Sequence, residues 1–100
     1  MGQYQLTSSA RDDIRNILRR SVKNWGKPHA VKYTEKLSDC LTRIGKGESR
    51  GKRVEEIPGL YVARCKQHYV FFLQENPVQI VAILHERMDC LKHVKSRLFG

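Results

Sequence analysis

Apolar side chains follow a helical spacing in the first half of the chain and a strand-like spacing in the second. Residues 3–7 alternate polar and apolar side chains, which predicts a short strand. Apolar residues then recur every three or four positions over 9–25 and 28–44, which predicts two helices. Gly26 is suited to end the first helix and Pro28 to begin the second, so the pair is expected to form a hairpin.

The start of the first helix carries the polar residues that a helix terminus needs. The hydroxyl of Ser8 or Ser9 is placed to cap the helix. Asp12 and Asp13 follow in the predicted first turn, where the helix dipole favours negative charge.

Three strands are predicted in the second half, where the period of the apolar residues becomes two. They cover 60–66, 68–74 and 78–84, and are rich in Val, Ile, Tyr and Phe. Their short connections force neighbouring strands to run antiparallel. The last two strands are apolar on both faces, so at least one of them is expected to be covered on both sides.

A linker and a helix flank these strands. Residues 45–53 are rich in Gly, Lys and Arg and predict a charged linker, whereas 88–99 regain the helical spacing, with Asp89 as the candidate cap. The element order is therefore β-α-α-β-β-β-(α). It predicts an α+β fold in one domain, 1–100, with the helical hairpin packed on one face of a small antiparallel sheet.

The chain is strongly basic, since 19 Lys and Arg against 10 Asp and Glu give a net charge of +9. This excess, which is spread over both halves, predicts an anionic partner such as nucleic acid or an acidic protein. No stretch approaches the roughly 18–20 apolar residues of a membrane span. Residues 1–7 lack the basic flank and apolar core of an export signal. A cytoplasmic protein that does not bind membranes is therefore expected.

The cysteines and histidines do not form a recognisable cofactor motif. Cys40, Cys65 and Cys90 are odd in number, widely spaced and without a C-x-x-C pair, which favours reduced thiols in a cytoplasmic protein over a disulfide. The four histidines do not combine with them at zinc-ligand spacing. We therefore expect no metal and no cofactor.

The most informative polar cluster follows the last predicted strand, where His85 and Arg87 come directly after an apolar run. A strand end is a rigid mount, so these side chains are suited to acid–base chemistry or to phosphate contact. The alternative is structural: Asp89 caps the last helix and Arg87 pairs with a nearby carboxylate.

A second candidate is a basic face of the sheet. Arg64 and Lys66 occupy alternating positions of one predicted strand and therefore share a face. If the helices do not cover this face, these two residues and His85 would form a basic surface with Lys52 and Arg53, which would bind phosphate and stabilise the charge of a cleavage transition state. The alternatives are a solvated sheet face, or an ion pair between Arg64 and Glu55 or Glu56.

Several motifs, taken in order, resemble the ParE branch of the RelE/ParE toxin superfamily. They are Tyr4-x-Leu6-Thr7-x-x-Ala10-x-x-Asp13-Ile14, Trp25-Gly26 followed by Ala30 and Tyr33, Gly51, Gly59-Leu60, Tyr69-Val70-Phe71-Phe72, and Ile83-Leu84-His85-x-x-Met88-Asp89. The resemblance covers nearly the whole chain, and the β-α-α-β-β-β order agrees with the fold of that family.

The resemblance implies the toxin of a type II toxin–antitoxin pair, which poisons DNA gyrase and is not itself a hydrolase. RelE-like relatives instead cut mRNA on the ribosome. The late tyrosine of many such nucleases is absent here, because no Tyr follows Tyr69. This departure favours gyrase as the target and leaves the ribonuclease as the alternative. A basic nucleic-acid-binding module without toxicity is a third interpretation, which exposed aromatic residues on the sheet would favour.

The resemblance also implies an antitoxin, and the residues independently favour one. A basic hairpin that meets the sheet along apolar stripes leaves a groove for the helix of an acidic, largely disordered peptide, which can add a strand to a free sheet edge. A toxin–antitoxin oligomer is therefore expected. Trp25 and Tyr33 are candidates for burial by this partner, although either could instead belong to the core.

These interpretations assign three sets of residues. The candidate gyrase-binding residues are Arg64, Lys66, His85, Arg87, Met88 and Asp89. The candidate antitoxin-binding residues are Arg19, Lys23, Trp25, Tyr33 and Leu37. In the alternative ribonuclease, the catalytic residues would be Lys52, Arg64, His85 and Arg87.

Overall fold

A computed structural model describes residues 3–100, so Met1 and Gly2 of the predicted domain lie outside the described residues. Two long helices pack on one face of a five-stranded sheet, and a third helix packs on the other face. The elements are β1 (Tyr4–Leu6), α1 (Ser8–Trp25), α2 (Lys27–Gly45), β2 (Lys52–Arg53), β3 (Leu60–Cys65), β4 (His68–Leu73), β5 (Val78–His85) and α3 (Cys90–Phe99).

The sheet has the strand order β1-β5-β4-β3-β2 and is mixed. The predicted α+β fold class is confirmed, and β3, β4 and β5 are antiparallel neighbours as expected. The prediction of a purely antiparallel sheet is wrong for β1, which runs parallel to β5 with Tyr4 opposite Val78 and Leu6 opposite Ile80. The intervening chain supplies the long crossover that parallel neighbours require. Local periodicity carries no information on this direction.

The predicted linker 45–53 contains a strand that sequence reasoning missed. Lys52 and Arg53 form β2, which lies at the sheet edge opposite Val62 and Tyr61 of β3. Two residues are too few to display a period. Gly51 precedes this strand with φ +67°, and a Cβ there would lie 2.6 Å from the carbonyl oxygen of Val62. Only glycine allows the linker to enter the sheet so closely.

The helices begin and end close to their predicted limits, with one correction. The cap of α1 is Thr7, not Ser8 or Ser9, because the Thr7 hydroxyl accepts a hydrogen bond from the Ala10 N–H at 3.2 Å. The first turn therefore contains no acidic residue. Asp89 caps α3 as predicted, and its carboxylate accepts a hydrogen bond from the Lys92 N–H at 3.3 Å.

The core has two parts, one on each face of the sheet. Phe72 and Ile80 are fully buried between the sheet and the hairpin, whereas Leu84 and Val94 are buried between the sheet and α3. The central strands β4 and β5 are covered on both sides, as their two-sided apolar pattern predicted.

Cys40 and Cys65 form a disulfide, so the expectation that the cysteines are reduced, unpaired thiols is wrong for this pair. Their Cα atoms lie 6.3 Å apart, within the usual range for a disulfide. Cys40 lies on α2 and Cys65 at the end of β3, and these elements meet only when the hairpin packs on the sheet. Cys90 is a free, half-buried thiol, and burial raises its pKa.

Candidate functional site

The end of β5 meets the hairpin through a chain of three aromatic side chains. His85 is the last residue of β5 and lies opposite His68 of β4, with the ring centroids 5.2 Å apart in an edge-to-face arrangement. His68 is only 9% exposed, and its Nδ1 lies 2.5 Å from the hydroxyl of Tyr33 on α2. Tyr33, His68 and His85 therefore connect the second helix to the two central strands.

The protonation state of this chain follows from burial. Burial, followed by the nearby charge of His85, lowers the pKa of His68 to about 4. Burial also raises the pKa of Tyr33, so its hydroxyl keeps the proton at neutral pH. Tyr33 therefore donates the hydrogen bond to Nδ1 of a neutral His68, which leaves the hydrogen of that imidazole on Nε2.

The low pKa of His68 predicts a loss of stability in mild acid. The unfolded chain takes up this proton near pH 6.5 and the folded chain only near pH 4, so stability falls as the pH drops through this interval. We expect a loss of about 2–3 kcal/mol from this residue by pH 4. Chemical denaturation at several pH values measures it. His68→Gln should flatten the profile, whereas His93→Gln, at an exposed position, should not. If wild type and His68→Gln lose stability equally as the pH falls, the low pKa assigned to His68 is contradicted.

A cavity of about 430 Å³ opens beside this chain, between the hairpin and the end of β5. It is bordered by Trp25 and Tyr33, which were predicted to bind an antitoxin, and by His85 and Met88, which were predicted to bind the target. The fold thus brings parts of the two predicted sets together on one side of the molecule.

Arg64 lies on the opposite face of the sheet. Its guanidinium forms an ion pair with Glu86, donates a hydrogen bond to the Lys66 carbonyl oxygen at 2.9 Å and lies 5.5 Å from the centre of the Tyr69 ring. The predicted partner at residues 55–56 is therefore wrong. Because β3 ends at Cys65, Lys66 lies in the turn with φ +57° and does not share a strand face with Arg64.

The four residues of the ribonuclease alternative are divided between the two faces of the sheet. Lys52 is opposite Val62 and so follows the same face as Arg64, whereas His85 faces the hairpin. Arg87 is exposed just beyond β5, and its backbone N–H donates to Nδ1 of His85 at 3.1 Å. The predicted basic surface that joins Arg64 to His85 is therefore not formed.

The predicted antitoxin-binding residues differ in exposure. Arg19 and Lys23 are exposed on α1. Trp25 is the last residue of α1, where the two helices of the hairpin join, and it is 70% exposed. The alternative that places it in the core is therefore wrong. Tyr33 is half-buried, and Leu37 is 2% exposed and packs in the core. Leu37 offers no surface to a partner, because it falls on the side of α2 that faces the sheet.

Sequence reasoning missed an ionic contact that joins three elements beside the cavity. The Asp13 carboxylate on α1 accepts hydrogen bonds from both terminal nitrogens of Arg97 on α3, at 2.7 and 2.8 Å. It also accepts one from the backbone N–H of Ile83 on β5 at 2.9 Å. Asp13 raises the pKa of Arg97 through these hydrogen bonds. The two side chains are 84 residues apart in sequence, and no local pattern joins them.

Neither a membrane-spanning helix nor a metal site is found among residues 3–100. None of the helices there is long and apolar enough to cross a bilayer. No group of three or more His, Cys, Asp or Glu side chains in the same range is arranged to hold a metal ion.

Both the fold and the sequence match known proteins. A solved structure described as the chromosomal ParDE TA system from P. aeruginosa has the same fold, with a TM-score of 0.71 over 82% of this chain and 92% of that one, at 18% identity. The family model described as the ParE toxin of the type II toxin–antitoxin system parDE matches residues 4–90. The chain belongs to this family, and it is therefore the toxin of a type II toxin–antitoxin system with an antitoxin as its partner.

Two individual relatives agree with this assignment. The chain is 41% identical to Toxin ParE of Escherichia coli, over the full length of both proteins. It is 28% identical to Toxin ParE1 of Caulobacter vibrioides, over 94% of this chain and 99% of the relative.

Proposed function

We propose that this toxin inhibits DNA gyrase as a binding protein and not as a hydrolase. Gyrase is the target implied by the resemblance to the ParE branch. The observation that carries the proposal is the separation of the candidate nuclease residues, because Lys52 and Arg64 lie on one face of the sheet and His85 on the other. A transition state for RNA cleavage requires its acid–base and charge-stabilising groups to converge on one phosphate.

The proposed gyrase-binding surface lies around the end of β5 and the start of α3. Arg87 and Asp89 are exposed there, and Met88 is 38% exposed beside them. An accessible apolar side chain flanked by charges is typical of the anchor of a protein interface. His85 borders this surface on the hairpin side, whereas Arg64 and Lys66 extend it on the other side through the β3–β4 turn.

The antitoxin is proposed to be an acidic, partly disordered protein that forms an oligomer with the toxin in the cytoplasm. Arg19 and Lys23 supply positive charge on α1, and Trp25 and Tyr33 supply aromatic contacts at the cavity. A partner seated there would also cover His85, which borders the same cavity. Neutralisation would then follow from direct occlusion of part of the target surface.

Two variants separate the gyrase inhibitor from the ribonuclease. In the double variant Arg87→Ala/Met88→Ala, we expect the concentration for half-inhibition of gyrase supercoiling to rise about 10- to 100-fold, because interface anchors cost about 1–3 kcal/mol when truncated. Lys52→Ala is the matched control and should change the concentration for half-inhibition less than about threefold. Its side chain is exposed and lies away from the proposed surface, so it should contribute little to gyrase binding.

The same proteins are then tested for mRNA cleavage on translating ribosomes. Cleavage by the wild type that Lys52→Ala abolishes would overturn the proposal in favour of the ribonuclease. Unchanged gyrase inhibition by the double variant would refute the assigned surface.

A further inference from the structure

All four histidines of this chain border the cavity at the end of β5, although they come from four different segments. His29 belongs to α2, His68 to β4, His85 to β5 and His93 to α3. His68 and His85 each hold one hydrogen bond within the protein, to Tyr33 and to the backbone N–H of Arg87, whereas His29 and His93 are exposed. Such a convergence of nitrogen donors and acceptors is characteristic of a ligand site, in which a few polar groups fix the orientation of the bound molecule.

The electrostatics of the cavity favour an anion. Among residues 3–100, Asp13 supplies the one carboxylate that borders the cavity, and both oxygens of that group already accept hydrogen bonds from Arg97. Arg20 also borders the cavity, and within residues 3–100 it forms no ion pair. An unpaired guanidinium beside imidazole groups matches the charge and the hydrogen-bonding needs of a phosphate.

The size and the aromatic wall of the cavity favour a nucleotide over a bare phosphate as its small-molecule ligand. The volume of about 430 Å³ lies within the usual range of small-molecule sites. Trp25 stands at its border with 70% of its surface exposed, and its ring centre lies 5.6 Å from that of His29. An exposed indole is a stacking platform for a base. The amides of Asn24 and Gln67 border the same space and can pair with a base edge.

We propose that this cavity binds a nucleoside monophosphate unit, with the phosphate at Arg20 and the base stacked on Trp25. The unit is either a free nucleotide or the 5′-phosphorylated end of a DNA strand, since both present the same chemistry. The site overlaps the proposed gyrase-binding surface at His85 and Met88 and the proposed antitoxin-binding residues at Trp25 and Tyr33, but the inference does not rest on gyrase being the target.

Fluorescence tests the proposal directly, because Trp25 is the one tryptophan of the chain. The full-length, antitoxin-free toxin is titrated with AMP at constant ionic strength, and with adenosine, inorganic phosphate and hexaglutamate as separate probes. We expect saturable quenching by AMP at concentrations at least tenfold lower than for any of the other three. If a 5′-phosphorylated oligonucleotide displaces AMP at a concentration lower than that of AMP, the preferred ligand is a strand end. If displacement needs a higher concentration, the preferred ligand is the free nucleotide. Either result supports the site.

Arg20→Gln and Arg19→Gln form a matched pair, since both remove one exposed charge from α1 and only Arg20 borders the cavity. We expect Arg20→Gln to weaken AMP binding at least tenfold and Arg19→Gln less than twofold, with unchanged thermal unfolding for both. Equal losses of AMP affinity in the two variants would show that net charge alone accounts for the binding, and would overturn the proposal. The absence of saturable quenching by AMP, or equal quenching by hexaglutamate, would overturn it as well.

Discussion

Replacement of Asp13 by alanine is expected to lower the free energy of unfolding by about 3–5 kcal/mol, because it leaves a partly buried guanidinium and a backbone N–H without their acceptor. The carboxylate is 11% exposed and holds Arg97 of α3 and the N–H of Ile83 in β5 at the same time. Its loss therefore loosens the contact between the hairpin, the sheet and the last helix, and not merely one ion pair.

Asp12→Ala is the matched control for this experiment. Asp12 is the preceding residue on the same helix, and its carboxylate pairs with Arg15 at 3.5 Å while 65% exposed. A surface pair of this kind contributes at most about 1 kcal/mol. Urea unfolding of both variants measures the difference. Equal losses for Asp12→Ala and Asp13→Ala would contradict the structural role assigned to Asp13.

Loss of the disulfide between Cys40 and Cys65 is expected to cost about 3–4 kcal/mol, since it frees a loop of intermediate length in the unfolded chain. The two cysteines are 25 residues apart, and the bridge joins α2 to β3. The cost should appear in Cys40→Ser and, equally, in the wild type after reduction.

Urea unfolding with and without a thiol reductant checks this second expectation. The reductant should destabilise the wild type and leave Cys40→Ser unchanged. Cys90→Ser serves as the control that keeps the disulfide, because Cys90 is the free cysteine. It should retain the sensitivity to reductant. If the reductant does not change the stability of the wild type, the disulfide is contradicted.

Elements with their own periodicity could be predicted from the sequence, whereas contacts between distant elements could not. The hairpin, the three antiparallel strands and α3 each contain enough residues to display a spacing. How these elements pack determines the direction of β1, the two-residue strand β2 and the disulfide. No local sequence pattern indicates this packing.

The same limit applies to the candidate site. The alternation of side chains correctly indicated two faces at the strand ends, but not which face the hairpin covers. Arg64 and His85 were therefore grouped, although the register places them on opposite faces. Conversely, Asp13 was interpreted as a helix-dipole charge, because its partner Arg97 is remote in sequence.

The proposed inhibition of gyrase is tested by its DNA products, because a toxin that poisons gyrase traps the enzyme on cleaved DNA. Purified toxin, gyrase, ATP and relaxed plasmid are incubated, and detergent and protease are added before electrophoresis. We expect loss of supercoiling together with linear DNA that increases with toxin concentration and disappears when the antitoxin is added first. Normal supercoiling and no linear DNA, with folded toxin in excess, would contradict it.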